Sequence, residues 1–455
     1  MMNINDTERK IWNTLLEGGY DTYIVGGAVR DYLLGHDSSD IDFATIATPE
    51  EISELFKNTD FKLNFVGASF GVTIINGVEV ATFRGDVYGG NGDKDVDITY
   101  LDNIEDDLAR RDFTVNAIAY DIDGNLIDPF NGRRDIEKRI IRFVGEPIDR
   151  INEDPNRILR ALRFAARFNF AIHLDTALAI KVNNHKVNMI APERIRLEIL
   201  KTLETTQKAS VFWKFMLDAG ILEYVFPELA TCWKHDHGNH HDEDVWVHNM
   251  LAGDYIECIN PLLKLAAYLH DVGKPAAFDP ELGTFYEHQH FGADIVRKRL
   301  TNLKFSNDEI RYVVNLVLIH MDGTRNMSNK SRRRLKNKMA AYGIHWNEYL
   351  AIRIADRHAN LSRPDFTSDQ IADYVEMLTT EEEIPFSTHD LAISGGDIIE
   401  MFDLDPGPLV GRIQRELLKY VIDNGDSYNN IHDLVNIIKD EFNLNIVNED
   451  KIPIN

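Results

Sequence analysis

Asp40 and Asp42, separated by Ile41 and followed by Phe43, are the first residues of this 455-residue chain whose type and spacing could do chemistry. In an extended strand, residues two apart project to the same side, so both carboxylates would address one site. Two carboxylates held together repel unless a cation lies between them, and Mg²⁺ carrying a triphosphate suits such an all-oxygen pair. A surface Asp-x-Asp is also a common loop feature, so the pair has to be weighed with its neighbours.

Upstream, Tyr23 to Asp31 (YIVGGAVRD) reads as strand, Gly26-Gly27 turn and helix, an arrangement that leaves backbone N–H groups free to meet phosphate oxygens. Alone, a Gly-Gly turn before a helix is more often only a turn. Downstream, Arg110-Arg111-Asp112-Phe113-Thr114-Val115-Asn116-Ala117 is a dense polar cluster set directly before Ile118 to Tyr120. Next comes Glu153-Asp154-Pro155-Asn156-Arg157. Asp154 has a good bland account as a helix N-cap with Pro155 at the first helical position. That account leaves Arg157, Arg160, Arg163 and Arg167 unexplained: they fall along one helical stripe, opposite the apolar Ile158, Leu159 and Leu162. A solvated basic face is the competing account of that stripe. Glu79, between Val78 and Phe83, is either a third acidic group at the site or an exposed strand residue.

A separate set comprises His248, His270-Asp271, His288, His320 and Asp356. His270-Asp271 closes the apolar run Leu262 to Leu269 and is followed at once by Gly273-Lys274-Pro275. Imidazole and carboxylate ligands drawn from several helices suit a divalent transition metal holding water for attack on phosphorus. His288 is favoured over His290 on spacing to Gly292. His235, His237, His240 and His241 lie in a polar run and are expected to be solvated rather than liganding.

The elements that must position these groups divide the chain. The first 130 residues alternate apolar runs (Tyr23 to Val25, Ile41 to Phe43, Val72 to Ile75, Val78 to Phe83) with glycine turns and helical stretches, an α/β pattern. From about Ile136 onward, apolar residues recur at three- and four-residue spacing, so the rest should be all-α. Breaks are expected near Gly145-Glu-Pro147, Lys234 to Asp244 and Arg363-Pro364. A chain of this length is too long for one ordinary core. No apolar run approaches the roughly 18 to 20 residues needed to cross a bilayer, and two cysteines, Cys232 and Cys258, make no disulfide framework; a cytoplasmic protein is expected.

The formal net charge of −25 argues against a protein that coats nucleic acid unspecifically. Charge is nevertheless segregated: Arg133 to Arg167 holds ten basic residues against six acidic ones, and Lys330 to Lys338 (KSRRRLKNK) holds six basic and no acidic ones. That pattern suits an enzyme that grips a polyanion at defined places.

In their order and spacing, G-G-x-V-R-D, D-x-D, R-R-D-F-T-x-N-A, E-D-x-x-R-x-x-R and Glu193-Arg194-Ile195 resemble the class II tRNA nucleotidyltransferases, the polymerase β-like branch that includes CCA-adding enzymes and bacterial poly(A) polymerases. The resemblance covers about residues 20–200. It implies that Asp40 and Asp42 bind the catalytic Mg²⁺, that Gly26, Gly27 and Arg30 meet the triphosphate, that Arg111, Asp112 and Asn116 lie near ribose and phosphates, and that Asp154 and Arg157, with Arg160 and Arg163 behind them, serve the base. Cytosine and adenine each present an amino donor beside a ring-nitrogen acceptor, and uracil and guanine reverse that order. A carboxylate and a guanidinium would therefore accept C and A and reject U and G. One departure stands out: the arginine-rich loop that such proteins often carry ahead of R-R-D is Gly89-Gly-Asn-Gly-Asp-Lys-Asp-Val here.

The second set resembles the HD phosphohydrolases, which are fused behind the nucleotidyltransferase in one bacterial subset. This implies a site for Mn²⁺, Co²⁺ or Ni²⁺ that removes 2′,3′-cyclic or terminal phosphate from RNA ends. Ile393-Ser-Gly395-Gly-Asp397 and Pro406-Gly-Pro408-Leu-Val-Gly411 resemble the C-terminal part of the same subset. The expected organisation is an α/β head (1–145), an all-α neck (146–215), an HD domain (216–362) and a helical tail holding tRNA (363–455), with the tRNA 3′ end, CTP and ATP as substrates and no membrane partner. A-only or poly(A) addition, or RNA-end repair with a merely binding first half, are the competing functions.

Overall fold

Every strand of the principal sheet comes from the first 130 residues. In the computed structural model, which describes residues 2–37, 40–65, 67, 71–88, 96–237, 242–257, 260–323, 327–380 and 387–448, the strands are β1 (Thr22–Val25), β2 (Asp42–Thr45), β3 (Leu63–Asn64), β4 (Val72–Ile75), β5 (Val78–Thr82), β6 (Arg84–Tyr88), β7 (Val96–Tyr100), β8 (Ala119–Tyr120) and β9 (Leu126–Ile127). Seven form one mixed sheet in the order β3-β4-β5-β2-β1-β8-β9, and β6 pairs with β7 as a separate hairpin. The Gly89 to Asp95 loop lies outside the described residues.

Register in this sheet decides what gathers at its centre. β1 and β2 are antiparallel with Val25 opposite Asp42, so Gly26 leaves β1 beside the carboxylate. β2 and β5 are parallel with Phe43 opposite Val80, which sets Asp42 and Glu79 one step earlier on neighbouring strands. Asp40 precedes β2 and is exposed, so only Asp42 of the carboxylate pair belongs to the strand. Beneath the sheet, the helix Asp6–Glu17, capped by Asn5, brings Trp12 against Phe43 with ring centroids 5.5 Å apart. The Trp12 indole N–H donates to the Thr22 carbonyl at 2.9 Å, so its polar edge is satisfied inside the core.

After β9 the chain is helical apart from the short pair β10 (Ile140–Ile141) and β11 (Ala171–Ile172). The helix Asn156–Phe168 buries Ile158, Leu159 and Leu162 as its apolar face requires. Its opposite face is only partly solvated: Arg167 is exposed and Arg160 half-buried, but Arg157 and Arg163 are each about 5% exposed. Arg163 donates to Glu198 of the helix Pro192–Thr205 at 2.6 Å, a buried pair that ties the two helices.

The chain separates by its own packing into Met1–Ala230 and Thr231–Asn455. Among the described residues, the second unit is helical apart from an isolated β-bridge between Asp279 and Thr284. His248 lies in Val245–Tyr255, His270 ends Pro261–Leu269, His288 starts His288–Asn302, His320 ends Asn307–Ile319 and Asp356 lies in Trp346–Ala359. The basic run 330–338 occupies the helix Asn329–Tyr342, and much of its charge is used within the unit: Arg333 donates to the carbonyls of Ile422 and Asp423 at 2.8 and 2.9 Å, and Lys330 pairs with Asp423 at 3.1 Å. Ser394 caps the helix Gly395–Phe402 in a capping box with Asp397, and Pro408 opens the helix Pro408–Asn424, so both tail motifs start helices. Among the described residues, no helix is long and apolar enough to cross a membrane.

Candidate functional site

The first unit has a cavity of about 610 Å³, within the range of small-molecule sites. Gly26 sits on its wall with φ of 72°, a left-handed conformation that glycine adopts without strain, and a Cβ there would lie 3.2 Å from Nη1 of Arg111. The Gly-Gly turn thus lets a guanidinium close over the end of β1. Gly27, Arg30, Asp42, Asp112, Asn116, Asp154, Arg157 and Arg160 share the same wall.

Polar groups from distant segments hold one another in place. Arg30, 4% exposed, donates to Asn116 Oδ1 at 2.6 Å; Asn116 donates to Asp112 Oδ1 at 3.0 Å; and Asp112 Oδ2 accepts from Arg160 at 2.9 and 2.5 Å. Arg30 also lies over the rings of Phe164 and Phe168, 5.4 and 4.6 Å from their centroids. Burial pushes the Arg30 pKa down and would push that of Asp112 up, but Arg160 and the Asn116 amide hold the Asp112 carboxyl below its ordinary value. The buried Asp107 carboxylate accepts from Arg110 at 2.9 and 2.7 Å and from Arg111 at 3.3 and 2.9 Å, fixing both arginines of R-R-D.

Asp42 is pushed up to about pH 6 by burial first, then by the charges of Glu79 and Asp40, against which Arg111 acts weakly. Carboxylates crowded by their own sign offer oxygen donors whose repulsion a hard divalent cation would relieve. Glu79 lines the cavity, whereas Asp40 is not among its lining residues and acts on Asp42 through its charge.

Asp154 does not cap the next helix in the ordinary way, since Pro155 holds the N-cap position. Its Oδ1 accepts from the Asn156 N–H at 2.9 Å and both oxygens are gripped by Arg194. Arg157 donates to the carbonyls of Arg150 and Arg110 at 3.2 Å each and to Glu153. Arg163, expected at the nucleotide, is instead turned into the Glu198 pair, because the stripe at positions 157, 160, 163 and 167 is wide enough to straddle two surroundings. Arg84, Arg110 and Arg167 also line the cavity; Arg110 belongs to the R-R-D cluster and Arg167 to the arginine stripe, though the resemblance assigns none of the three a role at the nucleotide.

The second unit brings His248, His270, Asp271, His288, His320 and Asp356 into one buried cluster. His248 and His270 oppose their Nε2 atoms at 3.2 Å, and His288 and His320 theirs at 3.3 Å. Asp271 stands between the pairs, with Oδ1 3.0 Å from His288 and Oδ2 3.4 Å from His270, while Asp356 is 3.2 Å from His248. The outer nitrogens explain the orientation. Nδ1 of His270, His288 and His320 donates to Ala267, Phe285 and Val317 carbonyls at 2.8, 3.0 and 2.6 Å, and Nδ1 of His248 meets Glu243 at 3.0 Å. With those protons committed outward, the Nε2 lone pairs face inward, as ligating histidines do. The set therefore fits a transition metal. Gly273 permits the arrangement: a Cβ there would lie 2.1 Å from the His288 carbonyl.

His237 corrects the sequence reading. It is buried, with Nε2 3.4 Å from Asp271 Oδ2, and burial pushes its pKa down to about 4. The Val245 N–H donates to the His235 carbonyl and the Trp246 N–H to that of Cys232, folding the polar run back beneath Lys274, which no spacing rule reveals. His290 is exposed, His235 is half-buried with its ring centroid 5.5 Å from that of Phe278, and His240 and His241 lie outside the described residues.

Residues 22–142 match the family described as Poly A polymerase head domain, 169–232 the Probable RNA and SrmB- binding site of polymerase A, and 288–427 tRNA nucleotidyltransferase domain 2. The chain is 30% identical over 417 residues to a CCA-adding enzyme of Streptococcus mutans, covering 89% of each chain, and 31% identical over 418 residues to an A-adding tRNA nucleotidyltransferase of Deinococcus radiodurans, covering 87% of this chain and 90% of that one. The fold superposes on the Bacillus stearothermophilus CCA-adding enzyme in complex with CTP with a TM-score of 0.63 at 26% identity, covering 91% of this chain and 92% of that one. Residues 22–142, which supply most of the cavity wall, match the polymerase head, and with 30% identity across 89% of both chains the chain belongs to the tRNA nucleotidyltransferase family that includes the CCA-adding enzymes.

Proposed function

We propose that this protein completes tRNA 3′ ends in the cytoplasm by adding C, C and A from CTP and ATP without a nucleic-acid template. The observation that carries this reading is a single cavity wall bearing a crowded carboxylate, Asp42, together with the Asp154 carboxylate and the Arg157 guanidinium. Asp40 and Asp42 would hold Mg²⁺, which when bound supplies positive charge to the reacting phosphate and the attacking hydroxyl. Arg30 and Arg111, beside the Gly26-Gly27 turn, neutralise the triphosphate, and Asp112 and Asn116 orient Arg160 and Arg30 around it. Asp154 accepts from the exocyclic amine of C or A while Arg157 donates to the ring nitrogen; U and G would set like against like at both positions.

Labelled CTP, ATP, UTP and GTP offered to tRNA lacking CCA and to tRNA ending in CC, with the product ends sequenced, test the reading. C, C and A on the first substrate support it. Addition of A to the second alone would assign the A-adding reaction of the Deinococcus relative, and long A tracts on either would assign poly(A) synthesis.

The second unit is read as a hydrolytic centre of HD type, in which His248, His270, Asp271, His288, His320 and Asp356 hold Mn²⁺, Co²⁺ or Ni²⁺. Such an ion supplies an activated water for phosphate hydrolysis. Residues 363–455 are assigned to tRNA binding. The helical neck is assigned to residues 146–215 and the hydrolytic domain to 216–362.

A further inference from the structure

Phe168 closes the helix Asn156–Phe168 and is half-buried, yet it is not among the residues that line the cavity of the first unit. Two guanidiniums that do line it rest on the Phe168 ring: Arg30, 4.6 Å from the centroid, and Arg167, 5.1 Å from it. The ring is itself held. Phe164 stacks on it at 5.8 Å with 9° between the planes, Phe170 lies 5.7 Å away, and Phe164 in turn meets Phe113 of the R-R-D-F segment edge to face at 5.4 Å. Because Arg30 belongs to the helix Gly27–Leu33 that follows the Gly-Gly turn, the contact joins that helix to the far end of the helix that carries Arg157.

Two like charges brought together need compensation. Arg30 is almost fully buried; burial first, with the charge of Arg167 as a lesser cause, pushes its pKa down, and Asp31 at 2.8 Å acts against them. Arg167 is exposed and, among the described residues, forms no ion pair. The neighbouring ring is occupied differently. Arg160 and Arg163 rest on Phe164 at 5.5 and 4.3 Å, and each also has a carboxylate partner, Asp112 and Glu198. A carboxylate neutralises a guanidinium and fills its fork, whereas the face of an aromatic ring stabilises the cation and leaves its N–H groups for an oxyanion. At Phe168, Asp31 is the one carboxylate paired with either arginine among the described residues, so positive charge is left over at the cavity wall.

Distance along the helix assigns that charge to one part of a nucleotide. From Arg157 to Arg167 the helix rises about 15 Å at 1.5 Å per residue, a span comparable with that of an extended nucleoside triphosphate. With the base at Asp154 and Arg157, the opposite end of the helix receives the phosphates farthest from the base.

Resting on the reading of this cavity as the nucleotide site, we propose that Phe168 is a positioning residue that mounts Arg30 and Arg167 as a paired clamp for the terminal phosphates of the incoming triphosphate, with Arg167 a phosphate-binding residue. Phe168 itself touches no substrate and acts through the two guanidiniums.

The test uses the full chain. Phe168 is replaced in turn by mono-, di- and trifluorophenylalanine, which keep the shape of the ring while draining negative charge from its face, and by Leu; Arg167→Ala is the companion variant. Dissociation constants for CTP and for inorganic tripolyphosphate are measured, together with steady-state constants for CTP and ATP on tRNA lacking CCA and the preference for C over U. We expect both dissociation constants to rise step by step with fluorination, reaching about threefold to tenfold in the trifluoro variant and in Phe168→Leu. KM for CTP and ATP should rise by the same factor, with kcat moving less, and Arg167→Ala should weaken binding of both ligands comparably. Preference for C over U should hold throughout the fluorinated series, because Asp154 and Arg157 are left in place. Equal binding across that series, or unaltered binding of both ligands in Arg167→Ala, overturns the proposal. A C-over-U preference that falls in step with fluorination overturns it as well, since it marks a loosened helix, and so does an unaltered chain that binds neither CTP nor tripolyphosphate. A chain that adds only A, or tracts of A, and whose ATP constants follow fluorination keeps the proposal and removes the CCA-adding reading.

Discussion

Asp154 and Arg194, forty residues apart in sequence, meet through both oxygens and both terminal nitrogens, at 3.1 and 2.8 Å. This bidentate contact fixes the plane of the Asp154 carboxylate at the cavity wall. Arg194→Ala should therefore relax nucleotide choice while Asp154 is still present. A bidentate base contact is worth about 1–3 kcal/mol of discrimination. We expect incorporation of U or G relative to C to rise about tenfold or more in Arg194→Ala and in Arg157→Ala, with a smaller change in triphosphate KM. Competition assays with paired nucleotides check this, and unchanged selectivity in both variants would remove the protein-template role.

Asp42→Asn should abolish addition of both C and A yet raise thermal stability in the absence of Mg²⁺. The sign follows from its carboxyl lying at about 6 in the folded chain against 3.8 unfolded: the folded state binds the proton more tightly, so ionising Asp42 opposes folding above that range. At pH 8 the neutral amide should gain up to about 2–3 kcal/mol, and the gain should disappear near pH 4. Chemical unfolding at the two pH values, beside a transfer assay, checks it; equal stability at pH 8 would contradict the crowded-carboxylate reading.

Asp107→Asn should loosen both arginines of R-R-D. The carboxyl would be raised by burial, but Arg111 and Arg110 hold it below its ordinary value, so its contribution is present above the ordinary carboxylate range and is lost as pH falls through the depressed value. Breaking a buried pair from one side costs about 3–5 kcal/mol when fully desolvated, and about 2–3 kcal/mol is expected here because the arginines are nearly one-fifth exposed. Urea unfolding should show this loss at pH 7 and a smaller one at pH 3, with a raised KM for CTP at pH 7.

Replacing His270 and Asp271 together with Ala should remove bound Mn²⁺, Co²⁺ or Ni²⁺ and any phosphatase or cyclic-phosphodiesterase activity, while Mg²⁺-dependent CCA addition continues. Oxygen-only and histidine-rich donor sets prefer different ions, so metal preference should separate along with the mutations. Metal retention by the double variant, or loss of addition in a folded chain, would contradict two independent sites.

Short-range features were legible in the sequence because they are local. Val25-Gly26-Gly27, the strand that follows Ile41 and the helix ending at His270 each depend on period, turn chemistry or a neighbour a few residues away, whereas the expectation that Asp40 shares that strand with Asp42 did not hold. The family resemblance implied that the first two of these segments meet, and residues of both line one cavity. What the sequence could not specify was register and rotamer. Glu79 stands beside Asp42 only because β2 and β5 are parallel with Phe43 opposite Val80. Arg163 and Arg160 share a helix face, yet Glu198 claims one and Asp112 the other. His237 joins the second cluster because the segment before Val245 folds back, and the arginines at 353 and 357 line a cavity only because that helix lies against Lys274 and Phe366. Each of these depends on contacts between segments tens of residues apart, where burial and pairing energies of several kcal/mol outweigh any local preference and leave no periodic trace in the chain.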